Sequence, residues 1–211
     1  MDAIILMAGS GTRTGLDINK ALYKINGIPL FKYSINNLKE YCDRIILVIR
    51  EIDREEVLKY IDSSITLVLG GLTRNHSVKN ALEYTSSDYI LIHDACRIFT
   101  PKYALDELLN IYKCYDASML ASREVNTVYN IESNIKVLDR NYIVCAETPQ
   151  IVKKELYIKA LEYVKNPTDD VSVILNYKND ANIGLVYTNG ENFKITNKKD
   201  LSLARMVLEN V

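Results

Sequence analysis

The sequence has few of the residues that build disulfide frameworks or zinc sites. It contains 4 cysteines and 2 histidines in 211 residues. The cysteines are widely spaced and include no CxxC pair, so we expect free thiols in a reducing compartment and neither a disulfide framework nor a cysteine metal site. The histidines, His76 and His93, are too few for a histidine-rich zinc site. These shortages predict a cytoplasmic protein.

Long apolar runs and an excess of one charge are also missing. No apolar run approaches the roughly 20 residues of a membrane helix, and the first residues lack the basic region of a signal peptide. A formal net charge of −1 gives no global reason to expect binding to nucleic acid or to a membrane surface. Hydrophobic residues at 48% and charged residues at 25% are typical of globular proteins, and we expect one domain over residues 1–211.

Short apolar runs alternate with helical patterns along the chain. The apolar runs lie at residues 3–7, 44–49, 65–69, 89–93, 117–121 and 183–187. The helical patterns lie at residues 29–41, 54–61, 75–85, 101–113 and 198–210. Continuous apolar runs are typical of strands covered on both faces, so the alternation predicts an α/β fold with a doubly wound, mainly parallel sheet. Ligands bind such sheets beyond the carboxyl ends of the strands, which makes the residues after each strand the candidates for a site.

One stretch, at residues 123–142, breaks this alternation. Within it, TVYNI and NIKVL are joined at the polar residues ESN, the last of which begins the second run, and this predicts a β-hairpin. An isolated two-stranded hairpin is only marginally stable. We therefore expect this hairpin arm to pack on something else, such as a second subunit.

The first apolar run is followed by the segment richest in glycine. Gly9, Gly11 and Gly15 stand close together in a chain with only 8 glycines. A glycine-rich turn exposes backbone N–H groups to an anion, and Arg13 and Lys20 add positive charge. The spacing fits neither the Walker A pattern nor GxGxxG. A glycine turn with surface charges is the alternative.

Polar residues also follow the third predicted strand. Gly70 and Gly71 come first, with Arg74 and Ser77 beyond them. Paired glycines let a backbone approach a planar base edge closely, and the two side chains are hydrogen-bond donors. An ordinary strand-to-helix turn is the alternative.

The fourth predicted strand ends in the sequence HDACR. Asp94 is placed to hold a metal ion or orient a hydroxyl, and Arg97 to form charge-assisted bonds with a phosphate. An Asp–Arg ion pair that fixes the loop is the alternative. We interpret His93 as a buried structural residue.

Two later segments carry further candidates. Lys194 lies between Phe193 and Ile195, and alternation in an extended segment at residues 193–196 turns its ammonium to the opposite side; an exposed lysine is the alternative. Thr168 or Asp169 can cap a helix, with metal binding as the alternative role for the acidic residues there.

Taken in order, these segments resemble the 2-C-methyl-D-erythritol 4-phosphate cytidylyltransferases, with ribitol-5-phosphate cytidylyltransferases as near relatives. The motifs are AGSGTRTGLDINK, GGLTRNHSVKNAL, HDACR, DRNYIVCAETPQ, PTDDVSV and NGENFKITNKKDLSLA, and they cover essentially the whole chain. The resemblance implies a Rossmann-like nucleotidyltransferase fold that transfers CMP from CTP to a polyol phosphate, with Mg²⁺ as cofactor. Methylerythritol phosphate, in isoprenoid precursor synthesis, is the expected acceptor. Ribitol 5-phosphate as the acceptor and a non-catalytic nucleotide-binding homologue stay open as alternatives.

The resemblance also implies roles for individual residues. Those expected at the nucleotide are Ala8, Gly9, Ser10, Gly11, Gly70, Gly71, Arg74 and Ser77. Those expected at the acceptor are Asp94, Ala95, Arg97, Thr127, Arg140 and Thr148, with Asp94 also near the metal. The expected catalytic residues are Arg13, Lys20 and Lys194. In such enzymes the hairpin carrying Thr127 and Arg140 completes the pocket of a partner subunit, which implies a homodimer.

The chain departs from the family pattern at four points. Met7 stands where a second alanine is usual, Asn19 precedes Lys20 where proline is frequent, and Ile98 replaces a proline. Asn126 replaces an aspartate of the hairpin. The hairpin change bears on which acceptor is used more than on CTP binding.

Overall fold

The structure is a computed structural model that describes residues 1–9, 18–165 and 167–209. Within these ranges the strands are β1 (Asp2–Leu6), β2 (Lys24–Ile25), β3 (Ile28–Pro29), β4 (Arg44–Ile49), β5 (Ile65–Leu69), β6 (Tyr89–Asp94), β7 (Ala117–Arg123), β8 (Val128–Asn130), β9 (Lys136–Leu138), β10 (Val144–Lys153) and β11 (Ile183–Thr188). The helices are α1 (Leu30–Leu38), α2 (Arg54–Leu58), α3 (Arg74–Leu82), α4 (Lys102–Ile111), α5 (Lys154–Tyr163), α6 (Asp170–Tyr177) and α7 (Lys198–Glu209). Short 3-10 turns lie at Lys20–Leu22, Glu51–Asp53, Tyr112–Cys114 and Arg140–Tyr142.

The centre of the described chain is a seven-stranded sheet in the order β11-β7-β10-β6-β1-β4-β5. Strand β1 pairs in parallel with β4 and β6, as do β4 with β5 and β7 with β11. Strand β10 runs antiparallel to β6 and β7. The prediction of a mainly parallel α/β sheet is confirmed, with β10 as the exception.

Helices cover both faces of the sheet. On one face, residues of α1, α4 and α7 pack with Ala3 and Ile5 of β1. On the other face, residues of α3, α5 and α6 pack with Ile4. Neighbouring residues of a strand point to opposite faces, so a strand between two helical layers must be apolar throughout. This is why the continuous apolar runs predicted the strands.

Two elements next to each other, β10 and α5, were not predicted. Strand β10 carries the polar residues Glu147, Thr148 and Gln150, all of them buried, so it contains no continuous apolar run. Helix α5 follows it directly, and its N-cap residue, Lys153, makes no side-chain capping bond. A polar strand and an uncapped helix leave little local signal.

The predicted hairpin is confirmed, since β8 and β9 pair antiparallel, with Tyr129 opposite Val137. The segment at residues 193–196 was expected to be extended, but it forms no strand in the described chain. Its predicted alternation still holds, since Ile195 is buried and Phe193 stacks on Phe99 at 5.0 Å between ring centroids. Among the described residues, no helix is both long enough and apolar enough to cross a bilayer.

Candidate active site

A cavity of about 490 Å³ lies at the carboxyl ends of the parallel strands. It is lined by residues that follow β1, β5 and β6, joined by Lys20 and Lys194. The predicted residues that line it are Ala8, Gly9, Lys20, Gly71, Arg74, Ser77, Asp94, Ala95 and Lys194. Residues far apart in the chain therefore meet at the edge where a parallel sheet binds its ligands. Ser10, Gly11 and Arg13 lie outside the described residues.

Lys194 and Asp94 form an ion pair in this cavity. Nζ of Lys194 lies 2.6 Å from Oδ2 of Asp94, and their side chains are 37% and 15% exposed. Burial alone raises the pKa of Asp94, but the positive charges of Lys194 and Arg74 outweigh it and lower this pKa to about 2. Asp94 is therefore ionised at neutral pH. The alternative of an Asp94–Arg97 ion pair is not what the structure shows, because Asp94 pairs with Lys194 and Arg97 donates to the carbonyl of Asn192.

A chain of buried hydrogen bonds holds the backbone around Asp94. Its N–H donates to Oγ1 of Thr148 at 3.0 Å, and Oγ1 lies 3.1 Å from Nδ1 of His93. Nε2 of His93 lies 3.0 Å from the carbonyl oxygen of Arg97. Burial lowers the pKa of His93 to about 4, so the ring is neutral. A ring that accepts at Nδ1 and donates from Nε2 satisfies every bond, and the prediction that His93 is structural is confirmed.

Arg97 and Asn192 connect the loop after β6 with the segment that carries Lys194. Arg97 donates to the carbonyl of Asn192 at 2.7 Å. The buried amide of Asn192 donates at 2.9 Å both to Oε2 of Glu147 and to the carbonyl of Thr148. Sequence reasoning missed Asn192 and Glu147. Nothing local marks them, because their partners are more than 40 residues away.

The turn after β5 is packed too tightly for a larger residue. A Cβ atom added to Gly70 would lie 2.4 Å from Cβ of Ala8, and one added to Gly71 would lie 2.3 Å from Cβ of His76. Ser77 accepts from the N–H of Gly71 at 3.1 Å, and Gly70 donates to Ile49 at 2.9 Å. The N–H groups of both glycines are therefore already bonded within the protein.

Arg74 reaches the cavity but is bound to the start of α6. Its guanidinium makes two bonds to the carboxylate of Asp170, at 2.7 and 2.6 Å, and Asp170 is fully buried. Burial lowers the pKa of Arg74, and the Asp170 carboxylate more than reverses this and raises it. Arg74 was expected at the nucleotide, and it does line the cavity. Two of its five N–H donors bond Asp170, and its positive charge lies beside the cavity.

Asp169 caps α6, so the capping interpretation is confirmed. Oδ1 of Asp169 accepts from the N–H of Ser172 at 2.8 Å, and the hydroxyl of Ser172 accepts in turn from the N–H of Asp169. Its other oxygen accepts from Gln150 at 2.8 Å. One carboxylate oxygen thus caps the helix, and the other ties its start to β10.

The hairpin residues do not reach the cavity of their own chain. Thr127 and Arg140 are exposed and are absent from its lining. Arg140 donates to the carbonyl of Val125 at 2.6 Å. The backbone N–H and the side-chain amide of Asn126 both donate to the carboxylate of Glu124. The structure therefore does not bring Thr127 and Arg140 together with the other acceptor residues within one chain.

The described residues contain no cluster of three or more acidic, histidine or cysteine side chains that could hold a metal ion. Of the described residues that line the cavity, Asp94 is the one with a carboxylate. Mg²⁺ is commonly held by one or two carboxylates together with the phosphates of a substrate. A single carboxylate fits a metal ion that binds with a nucleotide.

A mainly parallel sheet with a lysine-lined cavity at its carboxyl edge defines an α/β nucleotide-binding protein. The profile of the 2-C-methyl-D-erythritol 4-phosphate cytidylyltransferase family matches residues 1–210. The chain belongs to this family of nucleotidyltransferases, as the sequence motifs indicated.

Relatives match over nearly the whole chain. The chain is 31% identical over 219 residues to the 2-C-methyl-D-erythritol 4-phosphate cytidylyltransferase of Bacillus mycoides, covering 97% of this chain and 96% of that one. The solved structure of 4-diphosphocytidyl-2C-methyl-D-erythritolsynthase from Anaerococcus prevotii matches with a TM-score of 0.85 and 25% identity, over 99% of this chain and 95% of that one. The cytidylyltransferase of Francisella tularensis matches with a TM-score of 0.82 and 29% identity, over 97% and 98%.

Proposed function

We propose that the protein transfers CMP from CTP to 2-C-methyl-D-erythritol 4-phosphate and releases pyrophosphate. Membership of the family supports this reaction. The observation that carries it within the structure is the Lys194–Asp94 pair, which sets a cation and a carboxylate in one cavity at the carboxyl edge of the sheet. A phosphate-transfer site needs cations that are already in place.

In the proposed reaction a phosphate oxygen of the acceptor attacks the α-phosphorus of CTP. The bond from that phosphorus to the bridging oxygen of pyrophosphate breaks, and pyrophosphate leaves with the electron pair. Because the attacking oxygen is already an anion, no strong base is needed. The barrier lies in charge repulsion and in positioning, and we assign Lys20, Lys194 and Arg13 to stabilise the developing charge.

We assign the glycine-rich segment after β1 to the triphosphate and the turn after β5 to the cytosine. Ala8 and Gly9 line the cavity on the first side, and Gly71 and Ser77 line it on the second. Ser77 fixes the N–H of Gly71, and Arg74 fixes the start of α6. We assign both to the nucleotide, since both line the cavity.

We assign the acceptor to the loop after β6, with Asp94, Ala95 and Arg97, supported by Thr148 of β10. Mg²⁺, held by Asp94 and the phosphates, would neutralise charge on the triphosphate. Asp94 is suited to this because its low pKa keeps it ionised at neutral pH.

We further propose that the hairpin arm forms a homodimer. Its apolar side chains lie in solvent, with Val125 75%, Ile131 77% and Ile135 76% exposed. Clustered apolar exposure of this kind marks an interaction surface. Thr127 and Arg140 lie beyond the cavity of their own chain, and a second copy offers a cavity that they can complete.

Pyrophosphate release in the presence of CTP and Mg²⁺ tests the reaction with each acceptor. Release with 2-C-methyl-D-erythritol 4-phosphate and not with ribitol 5-phosphate supports the proposal. Release with ribitol 5-phosphate alone indicates an enzyme of wall or capsule polymers. CTP binding without release in either case indicates a non-catalytic homologue.

A further inference from the structure

Asn19 stands directly before Lys20 and lines the same cavity. Only 3% of Asn19 is exposed, and both ends of its side-chain amide are hydrogen-bonded within the protein. Nδ2 donates to the carbonyl of Met7 at 2.7 Å and to Oδ2 of Asp53 at 2.7 Å. Oδ1 accepts from the N–H of Ala21 at 3.1 Å. These partners fix the orientation of the amide, because Nδ2 faces two acceptors and Oδ1 faces a donor.

The two acceptors for this amide lie just beyond the ends of two central strands of the sheet. Met7 follows β1, and its own N–H donates to Val48 of β4 at 2.9 Å. Asp53 belongs to the turn that follows β4. Asn19 is also the N-cap of the 3-10 turn Lys20–Leu22. The first residue of that turn is thereby tied to the most buried part of the molecule.

Arg50 keeps Asp53 available as an acceptor. Nε of Arg50 lies 2.8 Å from Oδ2 of Asp53, and its terminal nitrogen lies 2.8 Å from Oδ1. Asp53 is only 4% exposed. A buried carboxylate close to a phosphate site opposes anion binding unless its charge is compensated, and the guanidinium supplies that compensation in a two-bond geometry.

We propose that Asn19 is a positioning residue that holds Lys20 against the transferring phosphate, with Asp53 and Arg50 as its support. The inference rests on the role given to Lys20 under the proposed function. Asn19 acts through the backbone of Lys20. Its loss therefore lowers turnover only as long as the lysine is there to be misplaced.

A double-mutant cycle tests this coupling. We expect Asn19→Ala to lower kcat by about 10- to 100-fold, the range that misplacement of a catalytic group costs. The Asn19→Ala/Lys20→Ala double variant should turn over within twofold of Lys20→Ala alone. The inference is overturned if Asn19→Ala stays within twofold of the wild type, or if the two losses multiply in full. A wild-type rate in Lys20→Ala would instead refute the role of Lys20 itself.

A matched control separates positioning from folding. Nδ2 of Asn37 donates to the carbonyl of Ile98 at 2.8 Å, on helix α1 and outside the cavity lining. Asn37→Ala also removes an amide-to-carbonyl bond, and we expect it to lower the melting temperature but to keep wild-type turnover. Equal losses of turnover in Asn37→Ala and Asn19→Ala would contradict the inference.

A rescue experiment covers the case in which Asn19→Ala fails to fold. Asn19→Asp keeps the acceptor for Ala21 but loses both donors and faces the Asp53 carboxylate. Adding Asp53→Asn returns one donor between the two side chains and removes the repulsion, although it gives up one of the two bonds from Arg50. We expect the double variant to turn over at least about tenfold faster than Asn19→Asp. A double variant that is no faster would contradict the inference.

Discussion

Nζ of Lys194 lies 2.6 Å from Oδ2 of Asp94, although 100 positions separate the two residues in the chain. The pair forms because the segment around Lys194 crosses the end of β6. Asn192 anchors it on one side through Arg97, and Ile195 anchors it on the other through a 2.9 Å bond to the carbonyl of Cys96. The ammonium is therefore fixed before any ligand binds, as electrostatic catalysis requires.

Removal of the Thr148 hydroxyl should weaken both the fold and the reaction. Thr148→Val leaves the N–H of Asp94 and Nδ1 of His93 without their buried partner, which costs about 1–3 kcal/mol of unfolding free energy. We expect denaturant titration to show this loss and turnover to fall with it. Thr148→Ser should keep both properties.

Thr85 provides the control for Thr148. It is also buried, and its hydroxyl donates to the carbonyl of Leu82 at 2.7 Å, at the end of α3. Thr85→Val should lose less stability, because the carbonyl of Leu82 keeps its bond from the N–H of Thr85 at 3.2 Å, and it should keep its turnover. If Thr148→Val matched the wild type in both stability and turnover, the hydrogen-bond chain around Asp94 would not have the role described above.

The buried ring of His93 should make stability depend on pH. Burial lowers its pKa to about 4, whereas an unfolded histidine titrates near about 6.5. Between these values the unfolded chain binds more protons, so the unfolding free energy falls as the pH drops through this window, by up to about 3 kcal/mol. Denaturant titrations of the ligand-free protein from pH 7 to pH 4 measure the effect.

His93→Gln should lose this component of the pH dependence. The exposed second histidine supplies the control, because His76→Gln should keep the wild-type slope. Carboxylates also contribute to acid destabilisation, so the test is the difference between the two variants. Identical slopes for His93→Gln and the wild type would contradict the account of a neutral buried ring.

Complementation tests whether two chains share a site. Arg140→Ala and Lys194→Ala should each be inactive alone. In a mixed dimer one cavity has an intact Lys194 and receives an intact Arg140 from its partner. Random reassociation of equal amounts gives mixed dimers as half of the population, each with one intact site of two, so about a quarter of the wild-type activity should return. No recovery in reassociated mixtures would contradict a shared site.

The strands were predictable because their signal is local. Ala3, Ile4 and Ile5 face helices on alternating sides of the sheet. Because both faces are buried, consecutive residues of the strand are all apolar. Strand β10 was not predictable in this way. Glu147 and Gln150 are buried because distant groups satisfy them, Asn192 in one case and the start of α6 in the other.

The candidate site was also predictable only where its signal is local. Residues that follow a strand, such as Asp94 and Gly71, could be identified because strand ends lie at one edge of the sheet. The residues that hold them in place could not. Asn192 and Asn19 are ordinary polar residues in the sequence, and their importance comes from bonds that only the folded chain brings together.

The most direct test of the account is the turnover of Lys194→Ala. Lys178 supplies a matched control, since its Nζ lies 2.8 Å from Asp116 and the two side chains are 40% and 24% exposed, close to the values for Lys194 and Asp94. Both variants are assayed for CMP transfer from CTP to 2-C-methyl-D-erythritol 4-phosphate, with folding checked by circular dichroism. We predict a loss of at least about 10²-fold in kcat for Lys194→Ala and wild-type turnover for Lys178→Ala. Near-normal turnover in a folded Lys194→Ala variant would contradict the account.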